Sequence, residues 1–140
     1  MKKQAEQKAG PDQETFLFEK LRLSACEVLN PRPLSKHAHA GSTAAAILTD
    51  RGTLFTGVCI DTSCSMGFCA EHAAAAAMVT AGEHRIVKLV AVTEGGAVVP
   101  PCGRCREFLC QLHDQNDRCE ELLGDGSVKT LAELLPDRWN

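Results

Sequence analysis

Two short segments carry residue types that do chemistry, Cys69-Ala70-Glu71 and Pro101-Cys102-Gly103-Arg104-Cys105. Cys102 and Cys105, three residues apart, point their sulfurs at one place when they share a helical turn, and Cys69 supplies a third sulfur from another helix start. Three thiolates suit zinc. A structural zinc site closes with a fourth protein ligand, whereas three protein ligands leave a corner for water, so the pattern points to catalysis. Both helix starts favour thiolate, because the partial positive charge of a helix N-terminus lowers a thiol pKa. Zinc with three thiolates keeps about one net negative charge, so water at the open corner is a weaker acid than on a three-histidine zinc. A base is then needed, and Glu71, two residues after the first ligand, is placed to move protons. Two plainer readings compete. Cys102 and Cys105 could form a thioredoxin-like dithiol, which leaves Cys69-Ala70-Glu71 without a role, and Glu71 could be only a first-turn carboxylate.

The elements that must position these residues follow from apolar spacing and punctuation. Residues 1–12 are polar, contain Gly10-Pro11 and show no apolar period, which predicts a flexible leader ahead of a single domain over 13–140. Phe16, Leu17, Leu21, Ala25, Val28 and Leu29 recur at helical spacing, so 14–29 is an amphipathic helix stopped by Asn30-Pro31. Residues 36–42 read as loop, and 43–49 and 53–60 as antiparallel strands around the turn Asp50-Arg51-Gly52. A loop over 61–68 leads into a second helix over 69–81, whose Ala73–Ala77 run allows close packing or simply favours helix. Residues 86–93, IVKLVAVT, read as a buried strand, and Pro100-Pro101 opens a third helix over 102–113. The tail gives a short strand in 118–123, a Gly124-Asp125-Gly126 turn, then another strand or a helical turn. This order predicts a sheet with helices on both faces.

Composition narrows the ligand. The 140 residues are enough for one core; 44% are hydrophobic and 24% charged, which excludes a disordered chain. With 15 Lys+Arg against 18 Asp+Glu, the net charge of −3 offers no cationic surface for a phosphate backbone. Five Phe, one Trp and no Tyr are too few for a base-stacking platform, so the expected ligand is a single small molecule rather than a polynucleotide. No stretch approaches the length of a membrane span and the N-terminal residues lack a secretory core, so a cytoplasmic address and reduced thiols are expected for the eight cysteines. Cys26, Cys59, Cys64, Cys110 and Cys119 read as buried or idle thiols, although Cys59 and Cys64 bracket the loop into the site; His37, His39 and His113 read as surface or capping residues.

Taken with the hairpin AAAILTDRGTLFTGV and the ending LLPDRW, the segments CAEHAAAAAM and PPCGRCREFL resemble the cytidine deaminase superfamily over residues 34–139. The cysteine as first ligand is similar to the free-nucleoside branch, which includes cytidine deaminases and blasticidin S deaminases. The resemblance implies an α/β fold, three-layer α/β/α with a mixed five-stranded sheet, one zinc per subunit on Cys69, Cys102 and Cys105, and a homotetramer. It implies hydrolytic deamination, in which Glu71 moves protons and the cytosine amine of a free nucleoside, or of an antibiotic such as blasticidin S, leaves as ammonia. Other aminated heterocycles, a modified pyrimidine or a purine base, stay open as substrates, as does a non-catalytic zinc-containing nucleoside-binding module. Cys59, Asp61, Ala70 and Phe68 stand on the substrate side by the same resemblance. Three departures matter. Where the family carries Asn-x-Glu for the ribose, this chain has Cys59-Ile60-Asp61; Asp61 can accept a sugar hydroxyl, but Cys59 cannot replace an amide. Where Arg often follows the catalytic Glu and offsets the thiolate charge, this chain has His72, with Arg104 and Arg106 as other candidates for that role. An aromatic residue expected before the first strand is missing around Gly41-Ser42, and Phe68 or Trp139 of a neighbouring subunit could stack instead.

Overall fold

The computed structural model describes residues 10–139; residues 1–9 of the expected leader lie outside the described residues. Helix α1 (Pro11–Val28) begins three residues earlier than expected. Extended Gly10 caps it, its carbonyl accepting from the N–H groups of Gln13 and Glu14, and Pro11 at the first position forfeits no hydrogen bond.

Seven strands form one mixed sheet, not the expected five: β1 (Arg32–Ser35), β2 (Ala38–Thr49), β3 (Leu54–Thr62), β4 (Ile86–Thr93), β5 (Val98–Val99), β6 (Glu120–Leu122) and β7 (Val128–Thr130). Five of them run abreast in the order β3-β2-β4-β6-β7. The two additions are short. β1 pairs with Ala38–Ala40, beyond the end of β4, and β5 pairs with Ala91 and Val92. β2 starts five residues before the expected 43, because pairing to β1 and β3 recruits a polar stretch with no strand pattern of its own. Its register shifts between Ala40 and Ala44, where Gly41 adopts φ +82° and a Cβ would lie 2.1 Å from the Asn30 carbonyl oxygen. β4 to β6 is the parallel pair and encloses α3 (Gly103–Gln111) in its crossover. The tail holds both alternatives in turn, β7 and then α4 (Leu131–Leu134), which Thr130 and Glu133 start with a reciprocal capping box.

Side chains alternate across the sheet with a period of two and give it two buried faces. Ala44, Ala46, Val90 and Val92 pack against Phe18, Leu21 and Ala25 of α1. Ala45, Ile47, Leu89 and Ala91 face the other way, onto Ala70, Ala74 and Met78 of α2 (Ala70–Thr80) and Leu109 of α3. At Gly57 on β3, a Cβ would sit 2.3 Å from the backbone nitrogen of Ala74, so the alanines of α2 serve close approach to the sheet. Lys88 is buried on the α1 face, paired with Glu14 and Glu120, and lies 4.5 Å over the Phe18 ring, fastening α1 to the sheet.

One fully buried polar residue holds together the end of the fold away from the sulfur cluster. Asn116 accepts from Ile86 N–H at 2.8 Å and donates to the carbonyls of Leu109 at 2.9 Å and His84 at 3.1 Å, joining the end of α3 to the start of β4. Asn116→Ala takes the side-chain acceptor from the buried Ile86 N–H and a donor from each of the Leu109 and His84 carbonyls, and is expected to cost about 2 kcal/mol, read as a lower urea midpoint at unchanged slope. A loss below about 0.5 kcal/mol would show that the clamp contributes little.

Candidate active site

The three cysteines meet at the starts of two helices. Cys69 is the extended residue that caps α2, and Cys102 caps α3, with Cys105 one turn inside it. Cys69 Sγ lies 3.6 Å from Cys102 Sγ, Cys102 Sγ lies 3.4 Å from Cys105 Sγ, and all three sulfurs fall within 4.8 Å of one another. Sulfurs bound tetrahedrally to zinc at about 2.3 Å stand about 3.8 Å apart, so the donor set fits that ion in type and spacing. It is the only group of three or more potential metal ligands of this kind among the described residues.

As thiols the three differ. Burial, then the neighbouring Cys102, raises Cys69, and burial with the Glu71 charge raises Cys105 far above the ordinary range. Burial also opposes the Cys102 thiolate, but the Cys105 N–H, 3.4 Å from its sulfur, and the adjacent sulfurs outweigh it and bring the pKa down. A cation among the sulfurs favours all three thiolates.

Glu71, in the first turn of α2, is 3% exposed, and burial raises its pKa, partly offset by its own N–H and the Cys105 thiol. A carboxyl shifted in that direction is a stronger base than an exposed one, which suits a group that takes a proton and gives it back. It lines a cleft of about 540 Å³ together with Cys69, Cys102, Ala70, Phe68, Cys59, Asp61 and Arg104. The catalytic, metal and substrate-side residues expected from the sequence are thus brought to one wall, apart from Cys105, which lies beneath it and completes the sulfur cluster. Phe68 is held there by paired backbone bonds with Ile60, and Gly67 makes this possible: a Cβ would lie 2.0 Å from the Ile60 carbonyl oxygen.

The other expected contacts divide. Cys59 Sγ is turned into the sheet, 3.2 Å from Ser42 Oγ and 3.3 Å from Thr43 N, with a long 3.8 Å contact to Asp61 Oδ2. Asp61 is exposed on the cleft wall. Of the three residues expected to offset the thiolate charge, only Arg104 lines the cleft, its Nη1 3.5 Å from the Gly67 carbonyl. Arg106 donates from Nε to Pro101 O and from Nη1 to Leu134 O, both at 2.8 Å, so its guanidinium fastens the turn before α3 to α4. His72 does not fit the role. It is buried and stacked on Phe108 at 4.2 Å, its Nε2 has no hydrogen-bond partner, and burial and Arg104 lower its pKa, so its ring is neutral at pH 7. The charge support visible on the sulfurs comes from backbone, the Cys105 N–H and the two helix starts. Trp139 is 84% exposed and takes no part in core packing.

Sequence reasoning missed Ser42, Thr43, Thr62, Ser65 and Val99 as cleft wall. Ser42 fell in the stretch read as loop, Thr43 was read only as a strand residue, and no spacing signal marks any of them.

No family model matches the chain. A curated cytidine deaminase of Mycobacterium tuberculosis is 38% identical over 98 residues, covering 68% of this chain and 70% of that protein. The cytidine deaminase of Halalkalibacterium halodurans is 33% identical over 95 residues, 66% of this chain and 72% of that protein. Among solved structures, cytidine deaminase from Mycobacterium tuberculosis superposes with a TM-score of 0.74 at 28% identity, covering 88% of this chain and 97% of that one.

Proposed function

Because the chain belongs to the cytidine deaminase family, we propose that it hydrolyses the amine of a free cytosine nucleoside, cytidine or deoxycytidine, to the uracil form with release of ammonia. The observation that carries this reading is the convergence of Cys69, Cys102 and Cys105 with Glu71 beside one open cleft. The three sulfurs would hold one zinc ion per chain, which supplies a Lewis acid and a nucleophilic water near neutral pH. Glu71 takes one proton from the attacking water and gives it to the ring nitrogen next to the reacting carbon, then takes the water's second proton from the oxygen now bonded to that carbon and gives it to the amine, whose bond to carbon breaks as ammonia leaves. One water is consumed for each ammonia released. Phe68 lies against the base, Ala70 at the start of α2 borders it, and Asp61 accepts hydroxyl hydrogens at the sugar end, where Cys59 is engaged by Ser42 and Thr43. Arg104 is the side-chain cation on the cleft wall.

No described helix is long and apolar enough to cross a membrane. Open thiolate ligation needs a reducing compartment, which supports a cytoplasmic setting. Exposed Met66 (75%), Val79 and Trp139 give copies of the chain apolar surface to bury, which supports an oligomer, a tetramer by family resemblance.

The test is ammonia release from cytidine, deoxycytidine, blasticidin S, cytosine and an aminopurine, with zinc measured on the same sample. Turnover of cytidine and deoxycytidine at one zinc per chain is the expected result. Turnover confined to blasticidin S moves the substrate to the antibiotic, and zinc without any turnover overturns the substrate reading.

A further inference from the structure

Among the described residues, three buried side-chain atoms lack a hydrogen-bond partner: Thr62 Oγ1 beside the cleft, Glu121 Oε1 on β6 and His72 Nε2 on α2. Glu121, 1% exposed, stands opposite Leu89 of β4. His72 is set apart by a defined neighbour, for its ring lies on that of Phe108 with centroids 4.2 Å apart and planes 18° from parallel. An unpaired nitrogen in a core is costly, so this imidazole is not held there by hydrogen bonding at Nε2. What it offers its surroundings is a flat face.

The place of that stack in the fold gives it a task. Cys69 caps α2 and His72 follows three residues later; Cys105 lies in the first turn of α3 and Phe108 follows three residues later. Residues three apart share a helix face, so each helix presents a sulfur near its start and a ring one turn further in, on the same side. The sulfurs converge at the tip and the rings stack behind them. Elsewhere α2 gives the core it shares with α3 mainly alanines, Ala70, Ala74 and Ala75, whose single methyl groups grip little, whereas Phe108 packs partly buried against that core.

We propose that His72 and Phe108 are a positioning pair for the sulfur centre, a ring stack that fixes α2 against α3 so that Cys69 meets Cys102 and Cys105 at metal-binding distance. The proposal rests on the reading that the three sulfurs hold zinc. Cys102 and Cys105 share α3 and keep their spacing through that helix, but Cys69 comes alone from α2, and its 3.6 Å approach to Cys102 depends on how the two helices sit. Three thiolates repel one another, and that repulsion is relieved most directly by the start of α2 moving away from the start of α3. Two aromatic faces in contact one turn behind oppose this movement, so the site is arranged before the metal arrives and binding need not draw the helices together. Glu71 lies between Cys69 and His72 in the same turn, so the stack also holds the start of α2 that carries it in the cleft wall.

The experiment measures zinc affinity by chelator competition, and the visible spectrum of the cobalt-loaded protein, for wild type, His72→Ala, His72→Phe, Phe108→Leu and the double variant His72→Ala/Phe108→Leu, with thermal unfolding and cytidine kcat on the same samples. His72→Ala and Phe108→Leu each remove one ring and are expected to weaken zinc about tenfold and to shift the sulfur-to-cobalt bands. Phe108→Leu nearly conserves apolar volume, so the test does not depend on a variant with a large cavity. The double variant should bind within about twofold of the weaker single one, because both changes remove the same contact. His72→Phe keeps a stack and loses the unpaired nitrogen; it should bind zinc within about twofold of wild type and show wild-type cobalt bands. Ring-removing variants that melt lower but match wild type in zinc affinity and cobalt bands overturn the proposal and leave the stack as core packing. A His72→Phe protein that binds no better than His72→Ala overturns it too, as do losses that simply add in the double variant. Wild type without zinc overturns the sulfur-centre reading and the positioning pair with it, whereas zinc without cytidine turnover removes only the proposed substrate, since affinity and spectrum are read without turnover.

Discussion

Zinc-loaded Glu71→Gln is expected to fold, keep one metal per chain, and release ammonia from cytidine about 10³- to 10⁴-fold more slowly than wild type. Glutamine matches glutamate in shape and can still hydrogen-bond at a site that is 3% exposed, so neither the α2 start nor the sulfur cluster has reason to move. What it cannot do is accept a proton and return it. The reaction needs that twice, once to the ring nitrogen and once to the leaving amine, and no other carboxylate lines the cleft except Asp61, at the sugar end. The loss should therefore fall on kcat, with KM changed by no more than a few-fold, because the missing interaction belongs to the transition state. Glu71→Asp, which keeps the acid but shortens the reach by a methylene, should recover only part of the rate. A Glu71→Gln protein within about tenfold of wild type would remove Glu71 from the proton path.

The site was far more legible in the sequence than the sheet that carries it, for a physical reason. Metal ligation and proton transfer depend on residue type and local spacing, so Cys69-Ala70-Glu71 and Pro101-Cys102-Gly103-Arg104-Cys105 name their elements as well as their chemistry. β4, with buried side chains on both faces, reads as an apolar run and emerges at the expected 86–93. β1 and the first half of β2 were invisible because their pairing is tertiary. Arg32, Pro33, His39 and Gly41 have no strand pattern, and they become strand only because β3 and each other supply partners. β5 is too short, at two residues, to show any period. The electrostatics were the least legible. His72 and Arg106 were natural cations for the thiolates by sequence position, but Phe108 stacks on the first and two carbonyls engage the second, contacts that only the packed chain creates. Glu121, in a Glu-Glu-Leu-Leu stretch, carries no signal that separates a buried carboxylate from a solvated one; register against Leu89 decides it.

Cys102→Ser should lose both metal and turnover, whereas Cys64→Ser should lose neither. Cys102 is the middle sulfur, within 3.6 Å of Cys69 and 3.4 Å of Cys105, and it is the one whose thiolate the protein itself favours, through the Cys105 N–H. Serine keeps the cap of α3, since its oxygen can accept the same N–H, so the fold has no cause to fail. Its hydroxyl is a hard, protonated donor that does not replace a thiolate on zinc. If the roughly 10–16 kcal/mol of a four-ligand structural zinc divides evenly, one ligand contributes about 3 kcal/mol, a hundredfold or more in affinity. With only three protein ligands there is no spare donor, and purified Cys102→Ser should hold well under one zinc per chain after dialysis, with cytidine turnover falling in proportion to the metal lost. Cys64 is exposed on the loop before the cleft and stands outside the sulfur cluster, so its replacement isolates the ligand effect from the mere removal of a thiol. Zinc content in Cys102→Ser equal to that of Cys64→Ser would show that the metal is held elsewhere, and the open three-sulfur centre would no longer explain the chemistry.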